Sequence, residues 1–354
     1  MKCLLPIGAV LIATALPQGE AAAQTTVRVG ICARTISTPA APLAIATRLG
    51  WFARDGIKVE LLPIAGSSDC IKFVATGEVD YAIASVEPLP IIRAQGVKAK
   101  IFYTAYQGYV YGIAVPQDSP IQRFADLRGK SIGVTAMGSA GVIVARALAA
   151  NAGLDPDRDV RIVVAGEGAQ TAALLRTRQV DALSQFDTQY AMVENAGIKL
   201  RLLPSPEIER FPSNGFVALE QTLREKRKQS VALARGYAKG TLFALSNPEA
   251  AIRILWEAYP QTKPTGKEEA LALRDDVKVL EARIPNWMLE KGGVSKWGES
   301  SERNYGAYLE FLQKWGILKT KADARELITN ELIGEINDFD PAKIKAEAKA
   351  YKPR

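Results

Sequence analysis

The 354-residue chain contains no histidine. That absence removes the side chain that most often moves protons near neutral pH, and the commonest metal ligand. Histidine-dependent triads and histidine-held metals are excluded with it. Cysteine is scarce: Cys3, Cys32 and Cys70 are the only three, and their spacing fits no zinc site. The chain has no Gly-x-Ser-x-Gly elbow and no Gly-x-x-x-x-Gly-Lys-[Ser/Thr] phosphate loop. Enzyme chemistry would fall to carboxylates, lysines or tyrosines alone. There is no low-complexity tract, and no apolar run reaches the ~20 residues that span a bilayer. The formal net charge is +7, yet no nucleic-acid motif accompanies it. The basic tail (Lys343, Lys345, Lys349, Lys352, Arg354) reads as a solvated helix end.

The N-terminus reads as a targeting segment. Lys2 supplies a positive start, residues 4–16 form a short apolar region, and Ala21-Ala22-Ala23 offers a small-residue cleavage site. This is the pattern of a secretory signal peptide, covering residues 1–23 and cut after Ala23. Cys3 precedes the apolar region and so cannot carry a lipoprotein anchor. Export places Cys32 and Cys70 in an oxidising compartment, where disulfides persist. Cys32 ends the first expected strand and Cys70 opens the helix after the second. If those strands are adjacent, both cysteines lie at one sheet edge. They are either a disulfide or two buried thiols.

The chain nearly repeats itself. Thr76-Gly77-Glu78-Val79-Asp80 returns as Thr177-Arg178-Gln179-Val180-Asp181, 101 residues later. Gly30 matches Gly133 and Gly50 matches Gly153, both at 103. Val59–Leu62 matches Val160–Val163 at 101, and Ala65-Gly66-Ser67 matches Ala165-Gly166-Glu167 at 100. A unit near 100 residues is too long for a solenoid, whose units are ~20–50 residues. It indicates two similar α/β lobes. The length agrees, since it exceeds what a single core usually fills.

Strands are expected at residues 27–32, 59–64, 81–84 and 99–103, alternating with helices as in parallel βαβ units. Tyr111–Pro116 is extended and leaves the first lobe; Ser213–Ala218 is extended and crosses back. The division is therefore 24–112 with 216–354 for lobe one, and 113–215 for lobe two. From about residue 220 the pattern is helical. Tyr305, Tyr308, Leu309 and Leu312 share one apolar helical face. Trp256, Trp287, Trp297 and Trp315 read as packing for these helices.

Four stretches carry a family resemblance. They are Gly50-Trp51-Phe52 with Gly56-Ile57-Lys58-Val59-Glu60, Thr76 through Tyr81, Ile121 through Val134, and Gln179-Val180-Asp181-Ala182. In this order and spacing the chain resembles the periplasmic substrate-binding proteins of ABC importers that serve nitrate, sulfonates, taurine and thiamine-pyrimidine precursors. The resemblance implies an α/β, two-lobe periplasmic binding protein fold of type II. Each lobe would be a mostly parallel sheet flanked by helices, joined to the other by two hinge strands. It further implies a periplasmic monomer that closes on a small-molecule ligand and delivers it to a permease with its ATPase, without catalysis or cofactor. A relative of this fold, the yeast-type thiamine-pyrimidine synthase, is an enzyme that depends on histidine and iron, and this chain has no histidine. The alternatives are a sensory solute receptor and a histidine-free periplasmic lyase using Glu87 or Glu167.

Ligands of open α/β sheets bind outside the carboxyl ends of strands. That rule selects Arg34, Thr35, Ser67, Ser68, Ser85, Glu87, Tyr103 and Tyr106 in lobe one, and Gly138, Ser139, Glu167, Gln170 and Asp187 in lobe two. Gly138-Ser139 opens a helix and suits either an anion or plain capping. Arg34 is the basic side chain of these loops. Asp69 reads as a cap. Glu87 and Asp187 follow the third strand of each lobe and are expected to face each other across the ligand. If the segment stays extended, Tyr103, Tyr109 and Tyr111 form one face on which a flat ligand stacks. One base, several acids and several tyrosines suit an aromatic or heterocyclic acid, a sulfonate or a zwitterion.

Overall fold

The computed structural model describes residues 24–352. The expected signal peptide and Cys3 lie outside the described residues. Ten strands form two five-stranded sheets. The strands are β1 (Thr25–Ile31), β2 (Ile57–Pro63), β3 (Tyr81–Ala84), β4 (Ala99–Thr104), β5 (Ala114–Pro116), β6 (Lys130–Val134), β7 (Val160–Val164), β8 (Ala182–Leu183), β9 (Leu200–Leu202) and β10 (Gly215–Leu219). The first sheet has the order β2-β1-β3-β10-β4 and the second β7-β6-β8-β5-β9.

The βαβ units behave as the alternating pattern requires. β1 runs parallel to β2 and β3, and β6 runs parallel to β7 and β8. The strands next to the crossings do not. β10 is antiparallel to both β3 and β4, and β5 is antiparallel to both β8 and β9. Each sheet is therefore mixed, with four strands running one way as expected and a single strand, β10 or β5, reversed. The physical reason is direct: a chain that leaves one sheet and returns from the other must re-enter running the opposite way.

The repeated motif has the same job in both lobes. The Asp80 carboxylate accepts from the Arg28 N–H of β1 at 2.9 Å, and Asp181 accepts from the Ser131 N–H of β6 at 2.8 Å. Each aspartate ties the turn before one strand to the backbone of the neighbouring strand. The residue after the threonine takes a left-handed backbone: Gly77 at φ 76° and Arg178 at φ 56°. Only glycine adopts that conformation freely. Arg178→Gly is expected to raise stability by about 0.5–1 kcal/mol, read as a higher denaturant midpoint at unchanged slope.

The C-terminal helices pack on the first sheet. Trp256 and Trp287 lie in the same apolar core as Val27, Val29 and Phe102. The helix Arg227–Ser246 approaches the helix Ala41–Arg48 closely enough that a Cβ on Gly240 would meet the Pro42 carbonyl oxygen at 2.1 Å. Among the described residues, no helix is long and apolar enough to cross a membrane.

Candidate functional site

A cavity opens at the carboxyl end of β1, where the two lobes meet. Ile31, Cys32, Ala33, Thr35 and Ser37 enter it from β1 and the loop that follows. Tyr106, Val110 and Tyr111 come from the first crossing, Asn214 from the second, and Phe186 from lobe two. Arg283 reaches in from the helix Glu269–Trp287. The walls are mostly apolar and aromatic, with a few polar groups, as small-molecule sites usually are. Tyr111 and Phe186 meet edge to face, centroids 6.0 Å apart. The Arg283 guanidinium carbon sits 3.9 Å from the Tyr106 ring centroid.

Arg283 is the residue that sequence reasoning missed. Its side chain is 2% exposed. Nε donates to both Asp187 oxygens at 2.8 and 3.0 Å, and Nη2 donates to Oδ1 at 2.6 Å. Asn286 adds a fourth hydrogen bond to Asp187 at 2.8 Å. Burial pulls the guanidinium down, but the adjacent Asp187 carboxylate outweighs it and holds Arg283 above its ordinary value. Nη1 is buried and has no acceptor among the described residues. A buried donor without a protein partner calls for one from outside the chain, a water or a ligand atom.

The lobes also touch beside the cavity. Glu167 of lobe two accepts from the Arg34 N–H at 3.1 Å and from the Thr35 hydroxyl at 2.9 Å. The Ser68 N–H donates to the Gly138 carbonyl at 3.2 Å. The Arg34 side chain points into solvent; its backbone, not its charge, makes the cross-lobe bond. At the second contact the two backbones nearly collide. A Cβ on Gly66, whose φ is +120°, would meet the Gly138 carbonyl carbon and oxygen at 2.4 Å. Gly66→Ala is therefore expected to hold the lobes apart and weaken ligand affinity by about tenfold or more, as overpacking does elsewhere. Titration calorimetry checks this, with small-angle scattering reporting the open shape.

Thr35 and Tyr106 thus line the cavity, and Asp187 stands behind it through Arg283. Arg34, Ser68, Gly138 and Glu167 form the lobe contacts. The Ser67 hydroxyl accepts from the Ser85 N–H at 3.1 Å and braces the first lobe. Ser139 is buried at the start of the helix Ala140–Asn151 and makes no side-chain cap. Asp69 likewise makes no cap; it pairs with Lys72 at 3.3 Å. Gln170 is exposed. The expected tyrosine face does not form, because extended backbone ends at Thr104. Tyr103 instead packs edge-on against Phe216 and Tyr237 inside lobe one.

Glu87 does not face Asp187 across a ligand. It is 1% exposed and lies beneath the crossings, where the Tyr109 and Tyr308 hydroxyls reach its Oε1 and also each other, so that two hydroxyl protons are shared among three contacts. Phe211 from the second crossing stacks on Tyr308 at 4.6 Å. Burial raises the Glu87 carboxyl above its ordinary 4.5, and the hydroxyl donors oppose this only in part. A carboxyl raised on folding stabilises the fold most below its ordinary pKa, and that contribution is lost as pH climbs through the raised value. Glu87→Gln is expected to flatten this loss. Its melting temperature should gain on the wild type as pH rises above 4.5 and stop gaining once the raised Glu87 value is passed, read by thermal unfolding at a series of pH values.

Cys32 and Cys70 are joined as a disulfide, with Cα atoms 5.9 Å apart. Cys32 lines the cavity, so the bond forms part of the site's floor. Among the described residues no group of histidine, cysteine and carboxylates could hold a metal ion.

Residues 37–251 match the model of a family described as NMT1/THI5 like. The chain belongs to the NMT1/THI5-like family. Family relatives carry both binding and catalytic names. The riboflavin-binding protein RibY of Chloroflexus aurantiacus is 24% identical over 297 residues, covering 83% of this chain and 82% of that one. The 4-amino-5-hydroxymethyl-2-methylpyrimidine phosphate synthase of Legionella pneumophila is 24% identical over 230 residues, 63% and 70% of the two chains. The alkanesulfonate-binding protein SsuA of Xanthomonas axonopodis pv. citri, solved with MOPS, superposes with a TM-score of 0.64 at 16% identity, over 86% of this chain and 98% of that one. At that identity the likeness speaks for the fold. The two mixed sheets flanked by helices are the periplasmic binding protein fold.

Proposed function

We propose that this family member is the solute-binding component of an ABC importer, exported to the periplasm after cleavage at Ala23. Its lobes, 24–112 with 216–354 and 113–215, close over a small organic solute bearing a planar ring. The loaded protein delivers the solute to membrane permease subunits driven by their ATPase. The observation that carries this reading is the cavity between the lobes, where Tyr106, Tyr111 and Phe186 present aromatic surface from a crossing and from lobe two. A ring inserted there gains apolar contact and stacking from both sides of the cleft. The name of the riboflavin-binding relative is in keeping with a ring-bearing ligand.

Catalysis is the second reading, favoured by the synthase name of the Legionella relative. The lack of histidine in this chain speaks against it. One experiment addresses both. Purified protein is screened by thermal shift against planar heterocycles, alkanesulfonates and inorganic anions, and each stabilising compound is then recovered and identified. The expected result is stabilisation by ring compounds that return unchanged. Stabilisation by inorganic anions or alkanesulfonates alone would overturn the ring reading, and conversion of the compound would establish an enzyme.

A further inference from the structure

We infer that the solute offers an uncharged hydrogen-bond acceptor, a ring carbonyl or ring nitrogen, to the free edge of Arg283, and that Asp187 sets this preference. The inference rests on the ring-binding reading above and narrows it to neutral heterocycles over carboxylates and sulfonates.

A guanidinium in a binding cavity ordinarily suggests an anion. Here its charge is already taken. Asp187 receives Nε and Nη2 in a forked pair and accepts a further bond from Asn286. What remains for the ligand is Nη1, a strong donor on a pair with no net charge. Arg283 is the sole charged side chain among the described residues lining the cavity. A carboxylate brought to Nη1 would therefore leave one uncompensated negative charge in an apolar, aromatic enclosure, which is costly. The rim worsens the balance, since the Glu167 carboxylate lies on the Arg34–Thr35 loop. The Arg34 guanidinium stays in solvent and offers no compensation inside.

A neutral acceptor meets the same donor without that charge. It also suits the aromatic walls: the Arg283 guanidinium carbon sits 3.9 Å from the Tyr106 ring centroid, so a ring in the cavity can present an edge atom to Nη1 while its face meets the aromatic wall. A site built around a fixed donor discriminates against ligands that cannot satisfy it. Asp187 does not touch the ligand. It is a positioning residue that holds the guanidinium and cancels its charge.

The test uses the full mature chain and two pairs of ring compounds that differ by one charge: nicotinamide against nicotinate, and uracil against orotate. Affinities are measured by calorimetry for the wild type and for Asp187→Asn, with melting curves confirming that both fold. In the wild type, the neutral member of each pair should bind at least about tenfold more tightly. Asp187→Asn, which frees the guanidinium charge, should move that ratio toward the carboxylate by about tenfold or more. A purely structural role for Asp187 would weaken both members equally. Tighter wild-type binding of nicotinate and orotate, or a ratio unmoved in Asp187→Asn, overturns the inference and leaves the ring reading standing. Binding of neither member of either pair overturns the ring reading itself. If Asp187→Asn does not fold, the wild-type ratio alone decides.

Discussion

Arg283→Met should lower the melting temperature by about 5–10 °C. The substitution leaves Asp187, a mostly buried carboxylate, with Asn286 as its one remaining side-chain donor among the described residues. Breaking a buried pair from one side costs about 3–5 kcal/mol, and in a chain of this size each kcal/mol moves the midpoint by about 1.5–2.5 °C. Asp187 is not fully enclosed, so the lower half of that energy range applies. The double variant Arg283→Met with Asp187→Leu should recover most of the loss, because a well-packed apolar pair often replaces a buried ion pair without penalty. Calorimetric melting of the two single variants and the double variant completes the cycle. A double variant as unstable as the sum of the singles would show that the two residues do not act as a pair. Because Arg283 belongs to lobe one's C-terminal helices and Asp187 to lobe two, the variants should also favour the open shape.

Removing the disulfide should cost about as much. Cys32 and Cys70 are 38 residues apart, and closing a loop of that size stabilises by about 4 kcal/mol in the chain-entropy account. The Cys32→Ser, Cys70→Ser variant is expected to melt about 8 °C lower. Ligand affinity should fall too, since Cys32 floors the cavity and its loop carries Thr35 to Glu167. Dithiothreitol should reproduce both effects in the wild type and add nothing in the double variant. A wild type indifferent to reductant would mean the bond contributes little.

Much of the fold was legible because it depends on local patterns repeated in order. The 101-residue echo located two lobes, and Asp80 and Asp181 make the same bond in each. Strand order put Cys32 and Cys70 at one sheet edge but left a disulfide and two buried thiols both open; the structure joins them. The strand directions near the crossings were not legible: β5 and β10 look like any short apolar run, and only three-dimensional re-entry makes them antiparallel. The site divided the same way. Rules about strand ends found Thr35 and Tyr106, and they found Glu167 and Gly138 without revealing that these meet lobe one. Glu87 and Asp187 sit at matching sequence places, but tyrosines from remote segments enclose one and Arg283 claims the other. Arg283 itself lies in Ala282-Arg283-Ile284-Pro285, a stretch whose local sequence says only helix. Its role comes from a contact 96 residues away, which no window along the chain can contain.

The strand pairing at the crossings has a further consequence. Thr104 and Gly215 are opposite each other in the register of β4 and β10. Just beyond them, the Ala105 and Tyr106 N–H groups donate to the Asn214 carbonyl, and the Ser213 N–H donates back to Tyr106. The whole of lobe two therefore departs and returns through one gap the width of a strand pair. In modular terms it is a cassette spliced into a hairpin. Lobe one could be re-closed by a short turn between those two residues, keeping nine of the fourteen residues that line the cavity and none of the clasp.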